Sequence, residues 1–257
     1  MKHFVRRFCP LLVILFVGAV AIPQSALADG KPGNKTKRSS KKKSKTRGFN
    51  TGPKSKTHYV VDAEAPGNEV TFTSKAPRET IVGKATEIVG ELDLKPRKLA
   101  RASGRFVVRW DALDTGKGMM NQHMQAAPWV DAANHPEIVF TLTGMQKIKP
   151  KGKSGNKIRV RLVGTMAING AEKEMKIPAT LVYLKPNKLK KGKDVKEGIG
   201  IRATFKVALA DFNIKGMRIG QSVAAKQRIK VSLFLKRVEE DKAEEPASKP
   251  KRRGVRD

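Results

Sequence analysis

Apolar and polar side chains alternate residue by residue along much of this chain, the period of strands with one buried face. The clearest run is 157–168, where Ile158, Val160, Leu162, Met166 and Ile168 share one face and Arg159, Arg161 and Thr165 the other. Asn169-Gly170 follows, a pair that tolerates positive φ and predicts a two-residue hairpin turn. The return strand puts Met175, Ile177, Ala179, Leu181 and Tyr183 on one face. A long basic loop from 186 to 198 leads to 201–212, where Ala203, Phe205, Val207 and Leu209 alternate with Thr204, Lys206 and Ala208. The last strand, 228–238, faces inward with Ile229, Val231, Leu233 and Leu235.

Upstream the same period is present in shorter runs. Ile88, Gly90, Leu92 and Leu94 form one face of a strand that Pro96 ends. Phe106, Val108 and Trp110 share a face in 104–113, as do Ile138, Phe140 and Leu142 in 138–143. Residues 59–61 and 69–73 are short β-type runs separated by Pro66, Gly67 and Asn68, and 81–85 reads as a loop or a short helical turn. One segment breaks the strand pattern. Between Gly116 and Asn134 a short helical stretch carries Met119, Met120, His123 and Met124, then turns at Pro128, Asp131, Asn134 and Pro136.

About eight alternating strands with one short helix predict an all-β fold, a closed antiparallel barrel or a sandwich, with the helix capping one mouth. Closure has the merit of leaving no exposed strand edge. With aromatics at 5%, the interior is built from aliphatic and Met side chains, and it either fills or encloses an elongated apolar cavity.

Composition divides the 257 residues into four parts. Residues 1–28 read as an export signal: Lys2, Arg6 and Arg7 precede an apolar run from Leu11 to Ile22, and Ala26-Leu27-Ala28 is an A-x-A cleavage site. The expected destination is the periplasm or the exterior, with cleavage after Ala28. Cys9, the only cysteine, lies within this leader, so the mature chain has no disulfide, thiol nucleophile or cysteine-ligated metal. Residues 29–57 form a Lys-rich arm in which Phe49 is the only large apolar side chain, and the composition predicts disorder. Residues 58–238 are the barrel, and 239–257 a charged, equally non-periodic tail. The formal net charge is +31, which suits an anionic envelope surface met through the arms. Aromatics do not interleave with the basic residues, so no specific nucleic acid is expected.

Candidate chemistry is sparse. His123, Asp131, His135 and Glu137 fit no metal or acid–base spacing, and structural roles suit them better: His123 fixing the helix, Asp131 capping a turn. The loop at 149–156 lacks the glycine spacing of a phosphate-binding loop, and there is no G-x-S-x-G elbow. Neither a metal nor a cofactor is expected, and the chain does not read as an enzyme. Trp110 and Trp129 read as core anchors.

Three stretches together resemble the YceI-like family, polyisoprenoid-binding, lipocalin-like barrels of the bacterial envelope. The first is Leu113-Asp114-Thr115-Gly116 with Gln122-His123-Met124, Trp129-Val130-Asp131 and His135-Pro136-Glu137-Ile138-Val139-Phe140. The second is Val163-Gly164-Thr165-Met166-Ala167-Ile168-Asn169-Gly170 with Lys176-Ile177-Pro178; the third runs from Ala203-Thr204-Phe205 to Ala210-Asp211-Phe212-Asn213-Ile214. Gly67-Asn68 stands where the family has His-Ser, and Asn169 where it has a histidine. The resemblance implies a lipocalin-like barrel carrying an isoprenoid or similar amphiphilic lipid in its interior. The expected guest contacts are Phe106, Val108, Trp110, Met119, Met120, His123, Met124, Phe140, Leu162, Phe205 and Val207. The alternative is a solid barrel, a structural or interaction module whose basic arms bind anionic envelope polymers or surfaces.

Overall fold

A computed structural model describes residues 48–186 and 197–238. The expected leader, the arm up to residue 47, most of the 186–198 loop and the tail lie outside the described residues. Among the described residues there are ten strands: β1 (Thr57–Val61), β2 (Glu69–Lys75), β3 (Thr80–Ala85), β4 (Ile88–Lys95), β5 (Lys98–Arg109), β6 (Glu137–Pro150), β7 (Lys157–Ile168), β8 (Ala171–Leu184), β9 (Gly198–Ala208) and β10 (Lys226–Arg237). The one α-helix among them, α1, spans Gly118–Gln125.

All pairings are antiparallel, and the sheet closes. The order runs β1-β4-β5-β6-β7-β8-β9-β10 and returns to β1. β1 and β2 lie end to end along one edge of β10, paired at Val61↔Leu235 and Glu69↔Ser232. β3 and β4 continue each other in the same way against them. Taken as two long interrupted strands, they make the barrel eight-stranded.

The interruption at 62–68 is held by Asn68. Asn68 Nδ2 donates to the Asp62 carbonyl at 2.6 Å, and Asn68 Oδ1 accepts from the Phe234 amide at 2.7 Å. Asn169-Gly170 makes the predicted turn, with φ of 48° and 69°.

Three expectations need correction. Residues 81–85 are strand β3 rather than a loop or helical turn, because Ile81 and Val82 complete a hairpin with β2 closed by Ala76 N–H donating to Glu79 O at 2.9 Å. β6 continues past Thr143 to Pro150 through two register shifts, the second beside Lys147 at φ 48°. The first shift moves the inward position from Leu142 to Met145, which hides the period in sequence. Finally, the arm is not disordered throughout. Phe49 is 2% exposed, its amide donates to Pro96 O at 2.8 Å, and its ring lies 5.6 Å from that of Tyr183.

Phe49 helps seal one end of the barrel, where the β4–β5 and β6–β7 connections also lie. There Tyr59, Leu92, Leu99, Ile158, Leu181, Ile199 and Leu235 are fully buried. Tyr59 and Tyr183 approach the Glu197 carboxylate, which also accepts from Arg237 at 3.0 Å. Burial and that carboxylate push the Tyr183 hydroxyl up to about 12 and raise that of Tyr59 further.

Candidate functional site

The opposite end is spanned by α1 and by the connection between β9 and β10. Leu113-Asp114-Thr115-Gly116 anchors the helix. Lys84 and Asp114 exchange both backbone hydrogen bonds, at 2.8 and 2.9 Å, tying the stretch to β3. The Asp114 carboxylate accepts from Asn121 Nδ2 and the Gly116 amide, both at 2.8 Å. The Asn121 bond, then the Gly116 amide, holds that carboxyl below its ordinary range. Gly116 sits at φ 75°, a conformation glycine adopts without strain. Lys117 pairs with Glu79 of the β2–β3 hairpin at 3.5 Å. At the other end of the helix, the Trp129 indole lies against Gly216, so closely that a Cβ there would fall 2.5 Å from it.

Beneath these segments the barrel is hollow, with a cavity of about 600 Å³. The interior is therefore solid at one end and open at the other, which speaks against the solid-barrel alternative. Ten of the eleven expected residues line it. Phe106 and Val108 come from β5, with Trp110 just beyond it, Phe140 from β6, Leu162 from β7, and Phe205 and Val207 from β9. Met120, His123 and Met124 of α1 border it at its mouth, three positions on one helical face, with His123 exposed. Met119 does not: it precedes that face, is 72% exposed and falls outside the lining.

The list missed the other wall. β2 and β3 contribute Val70, Phe72 and Ile81, and β10 contributes Ile229, Val231 and Leu233. The β9–β10 connection adds Ile214, Arg218 and Met217, the last 98% exposed at the rim. The inward set of β10 was legible from alternation; the connection has no period to read. Both tryptophans of the chain line the cavity, Trp129 included.

The wall is apolar with a few polar members. Glu79, His123 and Arg218 are its titratable groups, all on connections or the helix at the mouth. Trp110 and Gln227 are each 7% exposed. Gln227 Nε2 donates to Ala224 O at 2.6 Å, and this fixes the amide orientation. Gln227 Oε1 and Trp110 Nε1 have no hydrogen-bond partner.

His123, Asp131, His135 and Glu137 are not gathered. Asp131, at φ 45°, caps the turn by accepting from Asn134 Nδ2 at 2.8 Å. The His135 ring covers Gly170, and Glu137 pairs with Arg105 at 3.7 Å.

Residues 59–235 match the YceI-like domain, most of the chain. The chain belongs to this family. Its curated relatives include Protein YceI of Escherichia coli O157:H7, 23% identical over 170 residues, covering 65% of this chain and 81% of the relative. Protein YceI of Salmonella newport (strain SL254) is 22% identical over 169 residues, with the same coverage. Among solved structures, Burkholderia cenocepacia BcnA superposes with a TM-score of 0.54 at 20% identity, covering 68% of this chain and 98% of that one. A polyisoprenoid binding domain from Saccharophagus degradans, implicated in plant cell wall breakdown, gives 0.53 at 11% identity, covering 72% and 100%. At these identities the likeness establishes the barrel fold of this YceI-like chain.

Proposed function

We propose that this YceI-like protein is an exported, non-enzymatic carrier holding an isoprenoid or similar amphiphilic lipid in the open half of its barrel. The one-ended apolar cavity carries the reading. Its volume falls within the roughly 300–1,000 Å³ of small-molecule sites. About ten buried methylenes would contribute about 8 kcal/mol, near micromolar affinity before the cost of association. The polyisoprenoid-binding description of the Saccharophagus degradans neighbour supports the same class of guest. Export rests on the leader 1–28, and N-terminal sequencing of the secreted chain should begin at Asp29.

The expected contacts are the ten lining residues, with Met119 at the rim. The Lys-rich residues 29–47 bring the barrel to an anionic envelope surface; their deletion should lower binding to anionic vesicles while Phe49 keeps the barrel sealed. Organic extraction of the purified protein followed by mass spectrometry should recover a prenyl or similar lipid. Titration with a prenyl probe should quench the emission of Trp110 and Trp129. Absence of both co-purifying lipid and saturable quenching would end the carrier reading.

A further inference from the structure

Few large apolar side chains are left in water on the described surface, and two of them stand on the segments that span the mouth. Met217, on the β9–β10 connection, is 98% exposed, and Met119, at the start of α1, is 72% exposed. The others, Val82, Val89 and Val238, lie singly on β3, on β4 and just past β10. The rim carries more apolar surface beside Met217. Ala126, Ala127 and Pro128 are exposed, and the ring of Trp129, the next residue, packs against Gly216. Pro128, Trp129 and Met217 also line the cavity, so the exposed rim continues into the apolar interior. An exposed apolar rim of this kind marks a site of contact.

Cations bracket it. Lys215 and Arg218 flank Met217, are exposed, and have no ion pair among the described residues. Asp211, the one acid of that connection, is already paired with Lys173. At the strand ends that the connection joins, Lys206, Lys226 and Arg228 are likewise exposed and without an ion pair among the described residues. On the α1 side Lys117 is held by Glu79, so the positive excess lies around Met217.

We infer that the mouth docks on an anionic lipid bilayer, with Met217 and the turn 126–128 entering the interface and Lys215 and Arg218 meeting lipid phosphates. Methionine adapts to irregular apolar surroundings, and long cationic side chains lay their stems along apolar surface while the charge stays at headgroup level. Anionic lipids attract each such charge near the surface. A protein partner on this rim would close the cavity, whereas a bilayer leaves it open to acyl chains. The inference adds an orientation to the carrier reading: a basic arm tethers the barrel at any angle, and the rim sets its mouth against the membrane.

The full chain with Cys9→Ser has no cysteine and accepts one environment-sensitive fluorophore. Met217→Cys places it at the mouth, and Lys153→Cys in the β6–β7 connection at the sealed end; both positions are exposed. On phosphatidylglycerol–phosphatidylcholine vesicles containing spin-labelled lipid, the label at 217 should shift to the blue and be quenched. The label at 153 should do neither, whichever segment holds the chain to the vesicle. Adding Lys215→Glu and Arg218→Glu should weaken the shift at 217 by about tenfold or more in a lipid titration, while the protein still co-sediments through its arm. Equal quenching at the two positions, stronger quenching at 153, or none at 217 would overturn the inference. So would a shift at 217 that ignores the double charge reversal. A docked mouth that takes up no prenyl probe would instead strike the carrier reading and leave the docking face standing.

Discussion

At the sealed end of the barrel, Ile199 of β9 is paired with Tyr183 on one side and Leu235 on the other, and all three are buried. Six residues along the same strand, Phe205 is paired with Ile229 and borders open space. Alternation is the same at both places, so it decides which side chains face in and not whether they meet. At the sealed end, Phe49 comes from outside the strands to pack on Tyr183. At the open end, large side chains lie back against the wall. Phe72 lies over Gly83, its cross-strand partner, and Phe106 over Gly90 in the same relation. The edge of Phe140 lies 3.0 Å from where a Cβ of Gly164 would stand. Each ring takes the space its glycine leaves, and the barrel axis stays clear.

The contrast predicts opposite outcomes for one substitution at the two ends. Ala203 borders the cavity, whereas Ala102 lies in the buried core outside it. Ala203→Trp should fold normally and lose prenyl-probe affinity by roughly 100-fold, the equivalent of about four excluded methylenes. Ala102→Trp has no space to enter and should destabilise the fold by about 3 kcal/mol or prevent folding. Urea unfolding with a binding titration reads both; equal destabilisation by the two would mean that the ends do not differ in packing.

Removing the plug is an effect of similar size. Phe49→Ala should cost about 3–5 kcal/mol by urea unfolding, as for a buried aromatic, while probe affinity stays close to wild type. A loss below about 1 kcal/mol would show that this end is sealed without the arm. The wall glycines come below that. Gly90→Ala places a Cβ 2.5 Å from Phe106 Cδ1 and forces the ring towards the axis. A cost of about 1–3 kcal/mol is expected, with weaker probe binding, and unchanged affinity would remove the glycine–aromatic account of the cavity.

These features differ in how far the sequence discloses them. Alternation alone places β7 to β10, and it identifies most of the wall because inward-facing residues of a closed sheet have nowhere else to go. Phe49 is hidden because it lies in a stretch rich in Lys, Gly and Ser, and a composition that signals disorder outweighs one aromatic; its burial depends on Pro96, almost fifty residues away. The second half of β6 is hidden because bulges reset its phase. The hollow itself is hidden for a deeper reason. A glycine beneath a ring depends on cross-strand register, and no single strand records which residue of its neighbour lies opposite. The anchoring of α1 was legible as a motif, whereas the hydrogen bonds of Asp114 and Asn121 that explain it were not.

The smallest expected effect comes from alkaline pH at the sealed end. The Tyr183 hydroxyl ordinarily titrates near 10.0 and is pushed up to about 12 in the fold, first by burial and then by its hydrogen bond to Glu197. A raised value means that the folded state favours the neutral phenol, whereas the unfolded chain ionises more readily. Stability is therefore undiminished below about pH 10 and falls as the pH rises from there towards 12, since ionisation then draws the equilibrium to the unfolded chain. Tyr59 shares the Glu197 carboxylate and is raised in the same direction, so it steepens the loss. Tyr183→Phe cannot ionise at that position and should flatten the alkaline slope of the unfolding midpoint, leaving the slope that Tyr59 supplies. Probe binding at the far end should follow that slope only through global unfolding. A quenching affinity that changed while the fold was still fully populated would mean that the two ends are coupled.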